Sequence, residues 1–139
     1  MIRLAATLLL AATALAALGD EQVESRRNAL SLAGAWANDG FKLRDGHWTG
    51  VIEAAGTKLI RVNLFAGNHY WFTLAGSGTA KKVAVAIYDE SGNPVQFEHY
   101  VDGARAAAGF SPKTSGPYLI RMQSLAGPRG EFTLVYSYR

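Results

Sequence analysis

The residues with reactive potential are few: three histidines, His47, His69 and His99, a short carboxylate-rich stretch at Asp89-Glu90-Ser91-Gly92-Asn93-Pro94, and scattered Glu side chains. A zinc site needs its ligands to converge, and the histidines show neither His-x-x-x-His nor His-Glu-x-x-His spacing. A hydrolase centred on His47 or His99 is one reading they leave open. Asp89, Glu90 and Asn93 are candidate calcium ligands, because calcium takes six to eight oxygens from carboxylates and carbonyls clustered in this way. The same residue types are what a tight turn requires. Gly76-Ser77-Gly78 lacks the Gly-x-Ser-x-Gly elbow of a serine hydrolase and reads as a flexible turn. Glu53 and Glu98 form a carboxylate pair of the kind glycoside cleavage uses, with no local pattern to support it.

Aromatic side chains offer binding chemistry in place of catalysis. Trp71 lies on the strand face opposite Tyr70 and Phe72, where with Phe65 it makes a platform for a sugar ring or a partner side chain if that face is open. Trp48 is a third candidate. A helix covering the same face turns the platform into core.

The elements that must position these residues follow from periodicity. Asp20 to Trp36 places Ala29, Leu32, Ala33 and Trp36 at spacings of three and four, with Asp20 as the expected N-cap and Asn38-Asp39-Gly40 as the stop. After Gly40 the period becomes two. Trp48 to Glu53, Ile60 to Phe65, Tyr70 to Leu74, Val83 to Tyr88, Val95 to Tyr100, Tyr118 to Met122 and Phe132 to Tyr138 read as strands, and the small-residue segment Ala104 to Phe110 as an edge strand. About eight short strands with turns between them, and no helix-length crossover, predict an all-β antiparallel jelly-roll-like β-sandwich carrying one N-terminal amphipathic helix.

Composition bounds the rest. With 139 residues and 49% hydrophobic content, the chain suffices for one core. Met1-Ile2-Arg3 followed by the Ala/Leu/Thr run Leu4 to Leu18 has the form of a secretory signal peptide, too short and too alanine-rich for a spanning helix. The expected organisation is a signal peptide over 1–19, a helix over 20–40 and a sandwich over 41–139. Cysteine is absent, so neither disulfides nor a lipid-anchoring cysteine are available to the exported product. It is expected to be periplasmic or secreted, with no membrane span after cleavage. The formal charge of +3 includes Arg3, and the remaining basic residues are dispersed. Nucleic-acid binding needs a concentrated basic face and is not expected.

Four pieces of sequence, in order, carry a family resemblance: Ala66-Gly67 before Tyr70-Trp71-Phe72, Val85-Ala86-Ile87-Tyr88-Asp89 before Ser91-Gly92-Asn93, Phe110-Ser111-Pro112 before Ser115-Gly116-Pro117-Tyr118-Leu119-Ile120-Arg121, and Gly130-Glu131-Phe132-Thr133-Leu134. From Ala66 to Tyr136 the chain resembles the bacterial pre-peptidase C-terminal domain, a jelly-roll β-sandwich. The resemblance implies a noncatalytic exported module of the kind attached to secreted peptidases, where it assists export or localisation and in some cases binds fibrous proteins or polysaccharide. Some relatives bind calcium through carboxylates near the sheet edge. A sequence of 139 residues is expected to hold such a module without a peptidase beside it. An accessory or binding role with a protein or polysaccharide ligand is therefore the expectation, beside two alternatives: a small secreted enzyme and a structural envelope component.

Overall fold

The computed structural model describes residues 2–44 and 48–139, with side chains from Gly19 onward. One helix, α1 (Ile2–Asn38), precedes nine strands: β1 (Lys42–Leu43), β2 (Trp48–Ile52), β3 (Thr57–Leu64), β4 (Tyr70–Gly76), β5 (Lys82–Asp89), β6 (Glu98–Asp102), β7 (Arg105–Phe110), β8 (Gly116–Ala126) and β9 (Gly130–Tyr138). All named pairings are antiparallel. The larger sheet runs β9-β4-β7-β6, with β1 and β2 both along the free side of β9, and the smaller runs β3-β8-β5. The fold is an antiparallel β-sandwich with a helical outer layer.

Alternation along the strands builds its core. Tyr70, Phe72 and Leu74 of β4 and Phe132 and Leu134 of β9 face Val83, Val85 and Ile87 of β5 and Ile120 and Met122 of β8, all buried in one cluster. Each such side chain contributes roughly 1.5–3 kcal/mol by leaving water. The intervening residues point the other way, and on the larger sheet most are small or hydroxylated, Thr73 and Ala75 on β4 and Thr133, Val135 and Ser137 on β9, with Trp71 and Glu131 the large exceptions, all buried. That face is covered by α1.

The helix docks through Ser25, Ala29, Leu32, Ala33 and Trp36, the three-and-four spacing that puts side chains on one face. Ala29 and Ala33 pack on Ala75 and Val135, which brings the helix close enough for polar contacts. Ser25 Oγ and Thr133 Oγ1 share a hydrogen bond of 2.8 Å, and Asn28 Nδ2 donates to the Gly76 carbonyl at 3.0 Å. Buried hydroxyls are thereby paired and their desolvation offset.

Asn38-Asp39-Gly40 stops the helix as expected. Gly40 has φ +89°, its N–H donates to Ala37 O at 3.1 Å and that of Phe41 to Trp36 O at 3.1 Å, the two bonds of a Schellman motif. Phe41 folds back to join Leu32 and Trp36. Arg139 adds a cation at the carbonyl end of the helix, donating to Asp39 O at 2.7 Å while its guanidinium lies 4.6 Å from the Phe41 ring centre.

Three details differ from the sequence reading. Asp20 is not an N-cap, because α1 continues through it: the preceding Ala/Leu run favours helix strongly enough to carry the chain past Gly19. Residues Val95 to Phe97 are not strand; Val95 donates to Ile87 O at 3.2 Å and Pro94 bridges Tyr88, so the segment runs along β5 before β6 begins. The small-residue strand β7 is interior, between β4 and β6, and the edge is β6. Its lack of bulk makes room for a neighbour: a Cβ on Gly109 would stand 2.8 Å from the Trp71 ring.

Candidate functional site

Two loops that the sequence presents as turns come together at one end of the sandwich. The first follows β5. Asp89 organises it, accepting from Asn93 N at 2.9 Å through Oδ1 and from Asn93 Nδ2 at 3.2 Å through Oδ2, while Gly92 takes φ +86° to close the turn. The second loop joins β7 to β8. Tyr118 pins it by donating its hydroxyl to Thr114 O at 2.6 Å, and Ser115 Oγ accepts from Ala66 N at 2.8 Å.

Between the loops lies a cleft of about 930 Å³. Its aromatic lining is Phe97, half-buried, with Phe110 and Tyr118, whose rings meet edge to face at 5.2 Å between centroids. The rim is polar. Asp89, Glu90, Ser91, Gln96 and Glu98 line one wall, Ser111, Lys113, Thr114 and Ser115 the other, and His69 also reaches it. The volume falls in the range of pockets that hold a small organic ligand, and an apolar floor under convergent polar groups is how such pockets fix orientation.

The residues singled out from the sequence are dispersed among several environments. Trp71 is 9% exposed beneath the helix, stacked on Trp36, so it offers no open platform. Phe65 is 52% exposed just after β3, in the other sheet's connection. Trp48 is half-buried and packs against the main core, its ring across Gly50. These three form no common surface, because alternation sends Trp71 outward and Trp48 inward and Phe65 belongs to the opposite sheet. His47 lies outside the described residues. His99 sits on the exposed edge strand β6 with its ring centre 4.1 Å from that of Phe97.

Of the calcium candidates, Asp89 and Glu90 line the cleft, but each is committed elsewhere: Asp89 to Asn93 and Glu90 to Arg61 at 2.8 Å. No group of three His, Asp or Glu side chains stands close enough to hold a metal ion among the described residues. Ser77 is buried in its turn, 3.3 Å from Thr79 Oγ1. Glu53 pairs with Arg129 at 2.8 Å, a contact that raises the guanidinium pKa above its ordinary value, chiefly through the hydrogen bond. Gln96, Phe97, Phe110, Lys113 and Tyr118 were not marked as site residues by sequence. The residues of the two walls are too far apart along the chain for any local motif to join them.

No protein-family model matches the sequence, and no curated protein matches it. Solved structures do resemble the fold. Aeromonas hydrophila PliG, a periplasmic lysozyme inhibitor of g-type lysozyme, aligns at TM-score 0.51 and 19% identity over 68% of this chain and 85% of its own. The Yersinia pseudotuberculosis-derived mitogen aligns at TM-score 0.51 and 13% identity, over 66% and 83%. The pre-peptidase C-terminal domain of collagenase from Bacillus anthracis gives TM-score 0.50 and 17% identity, over 66% and 87%. At such identities the similarity is one of fold: this chain has a β-sandwich of the type found in a pre-peptidase C-terminal domain and in a periplasmic inhibitor.

Proposed function

We propose that the chain is an exported, noncatalytic binding module that holds a protein or polysaccharide ligand in the cleft between residues 89–98 and 111–117. The observation that carries this reading is the cleft itself, an open cavity of about 930 Å³ with an aromatic floor and a rim of hydrogen-bonding side chains. A binding role without catalysis is supported by the engagement of two of the three cleft carboxylates within the protein, Asp89 with Asn93 and Glu90 with Arg61. Export is supported by the leader pattern over 1–19 and by a fold shared with a periplasmic inhibitor.

The test is capture. The purified protein is immobilised and offered envelope extracts, soluble cell-wall and plant glycans and a g-type lysozyme, beside a Gln96→Trp variant that fills the cleft from its exposed wall. Retention by the native protein and loss with Gln96→Trp is the expected result. Equal retention by both would place the ligand elsewhere. N-terminal sequencing of the protein recovered from a cell envelope fraction checks export, an intact Met1 counting against it.

A further inference from the structure

The walls of the cleft differ in sign. Between Asp89 and Glu98 the ionisable residues are Asp89, Glu90 and Glu98, all acidic; between Ser111 and Pro117 the only one is Lys113. Asp89 keeps its charge but has both oxygens hydrogen-bonded by Asn93, and Glu90 is paired with Arg61. Glu98 and Lys113 are exposed and take part in no ion pair among the described residues, including one with each other. One uncommitted carboxylate and one uncommitted ammonium thus line the two walls without meeting, and Phe97, Phe110 and Tyr118 lie in the same cavity.

A neutral sugar can hydrogen-bond Glu98 and Lys113 through its hydroxyls but brings no charge to balance either. A purely basic or acidic ligand would satisfy one wall and be repelled by the other, a cost that like-charge contact imposes on the wrong partner. A chain with groups of both signs, separated by an apolar stretch, satisfies both walls and covers the rings between them. Peptide is the polymer that combines these three features within a few residues.

Resting on the reading of the cleft as the ligand site, we infer that its ligand is a short amphoteric segment of a partner protein. The basic group of the segment meets Glu98 and its acidic group meets Lys113. Side chains between them pack on Phe97 and its aromatic neighbours.

The test uses labelled peptides of equal length in four classes (amphoteric, all-basic, all-acidic and uncharged), with uncharged oligosaccharides beside them, titrated against the purified protein by fluorescence anisotropy and calorimetry. Amphoteric peptides are expected to bind best, and Glu98→Gln and Lys113→Met each to weaken them by about tenfold, the size of one charge-assisted contact. Both residues are exposed, so neither change disturbs the core. The exchange of Glu98→Lys with Lys113→Glu is expected to prefer the peptide with its charges reversed in order. If no peptide class binds, if amphoteric peptides bind no better than uncharged ones, or if the two substitutions leave affinity unchanged, the inference is overturned. Binding of an uncharged glycan that Gln96→Trp abolishes would overturn it while leaving the cleft as the site. Retention of every captured ligand by Gln96→Trp would reject the cleft as well.

Discussion

The indole of Trp36 lies flat on that of Trp71, with ring centroids 4.0 Å apart and planes 4° from parallel, and its Nε1 donates to Thr73 Oγ1 at 3.0 Å. Residues far apart in sequence are fixed by one contact that joins helix to sheet. Stacking supplies dispersion and area burial, and the hydrogen bond satisfies a hydroxyl buried under the helix. Tyr100 closes the far side, edge-on to Trp36 at 6.2 Å.

Trp36→Ala should therefore cost about 3 kcal/mol, within the range for removing a packed aromatic side chain, and Trp36→Phe about 1 kcal/mol less, because part of the stack survives. Urea unfolding of the two variants measures this. Tryptophan emission is expected to shift to the red in Trp36→Ala as Trp71 gains water. Wild-type stability in both would mean that the Trp36 contact contributes nothing to the sandwich.

Gly109 faces the opposite requirement, since Trp71 needs the space that a Cβ would fill, 2.8 Å from its Cζ2 atom. Gly109→Ala should destabilise by about 1–3 kcal/mol through overpacking. Combining it with Trp71→Phe, which shortens the ring, should cost less than the sum of the two single changes. A double-mutant cycle reads the coupling directly, and strict additivity would contradict the contact.

Most strands were legible because core side chains alternate with polar or smaller ones, as in Tyr70, Phe72 and Leu74 against Thr73 and Ala75 on β4, or Ile60 and Val62 against Arg61 and Asn63 on β3. What lay hidden was everything decided by a third layer. Ala106, Ala107 and Ala108 look like a weak edge strand when read alone; they are interior because neighbouring elements supply the missing bulk, Trp71 and Leu32 of the helix beside Ala107 and the sandwich core beside Ala106 and Ala108. Asp20 has the chemistry of a cap, but capping chemistry cannot say whether the preceding residues are already helical. The buried outward hydroxyls Thr73, Thr133 and Ser137 were the available sign that the helix sits on this face. The cleft was illegible for another reason: Asp89 and Lys113 belong to separate turns, each locally complete, and only the sandwich brings them to the same cavity.

Two glycines, one inside α1 and one just past its end, should respond in opposite directions. Gly34 sits within α1 with no atom within 4 Å of an added Cβ, so Gly34→Ala should stabilise by about 0.5–1 kcal/mol through helix propensity. Gly40 has equal room, but its φ of +89° is one that L-residues seldom adopt, so Gly40→Ala should cost about 1 kcal/mol. Thermal melts of both variants separate space from backbone conformation. A gain at Gly40 would mean that the Schellman closure is not maintained in solution.

Asp89 discriminates between a turn and a metal site. Both of its carboxylate oxygens accept hydrogen bonds from Asn93, and its own N–H donates to Asn93 O at 2.9 Å, which closes the loop without an ion. A calcium ion binding here would have to displace the Asn93 contacts and recruit Glu90 from Arg61. Asp89→Ala should therefore lower stability by about 1–2 kcal/mol, the worth of a turn held by charge-assisted bonds, in calcium and in chelator alike. Because anything that binds only the folded state raises its stability, a melting temperature of the native protein that rises with added calcium and falls with chelator would restore the metal reading. Unchanged melting in both, together with the loss in Asp89→Ala, is the expected outcome.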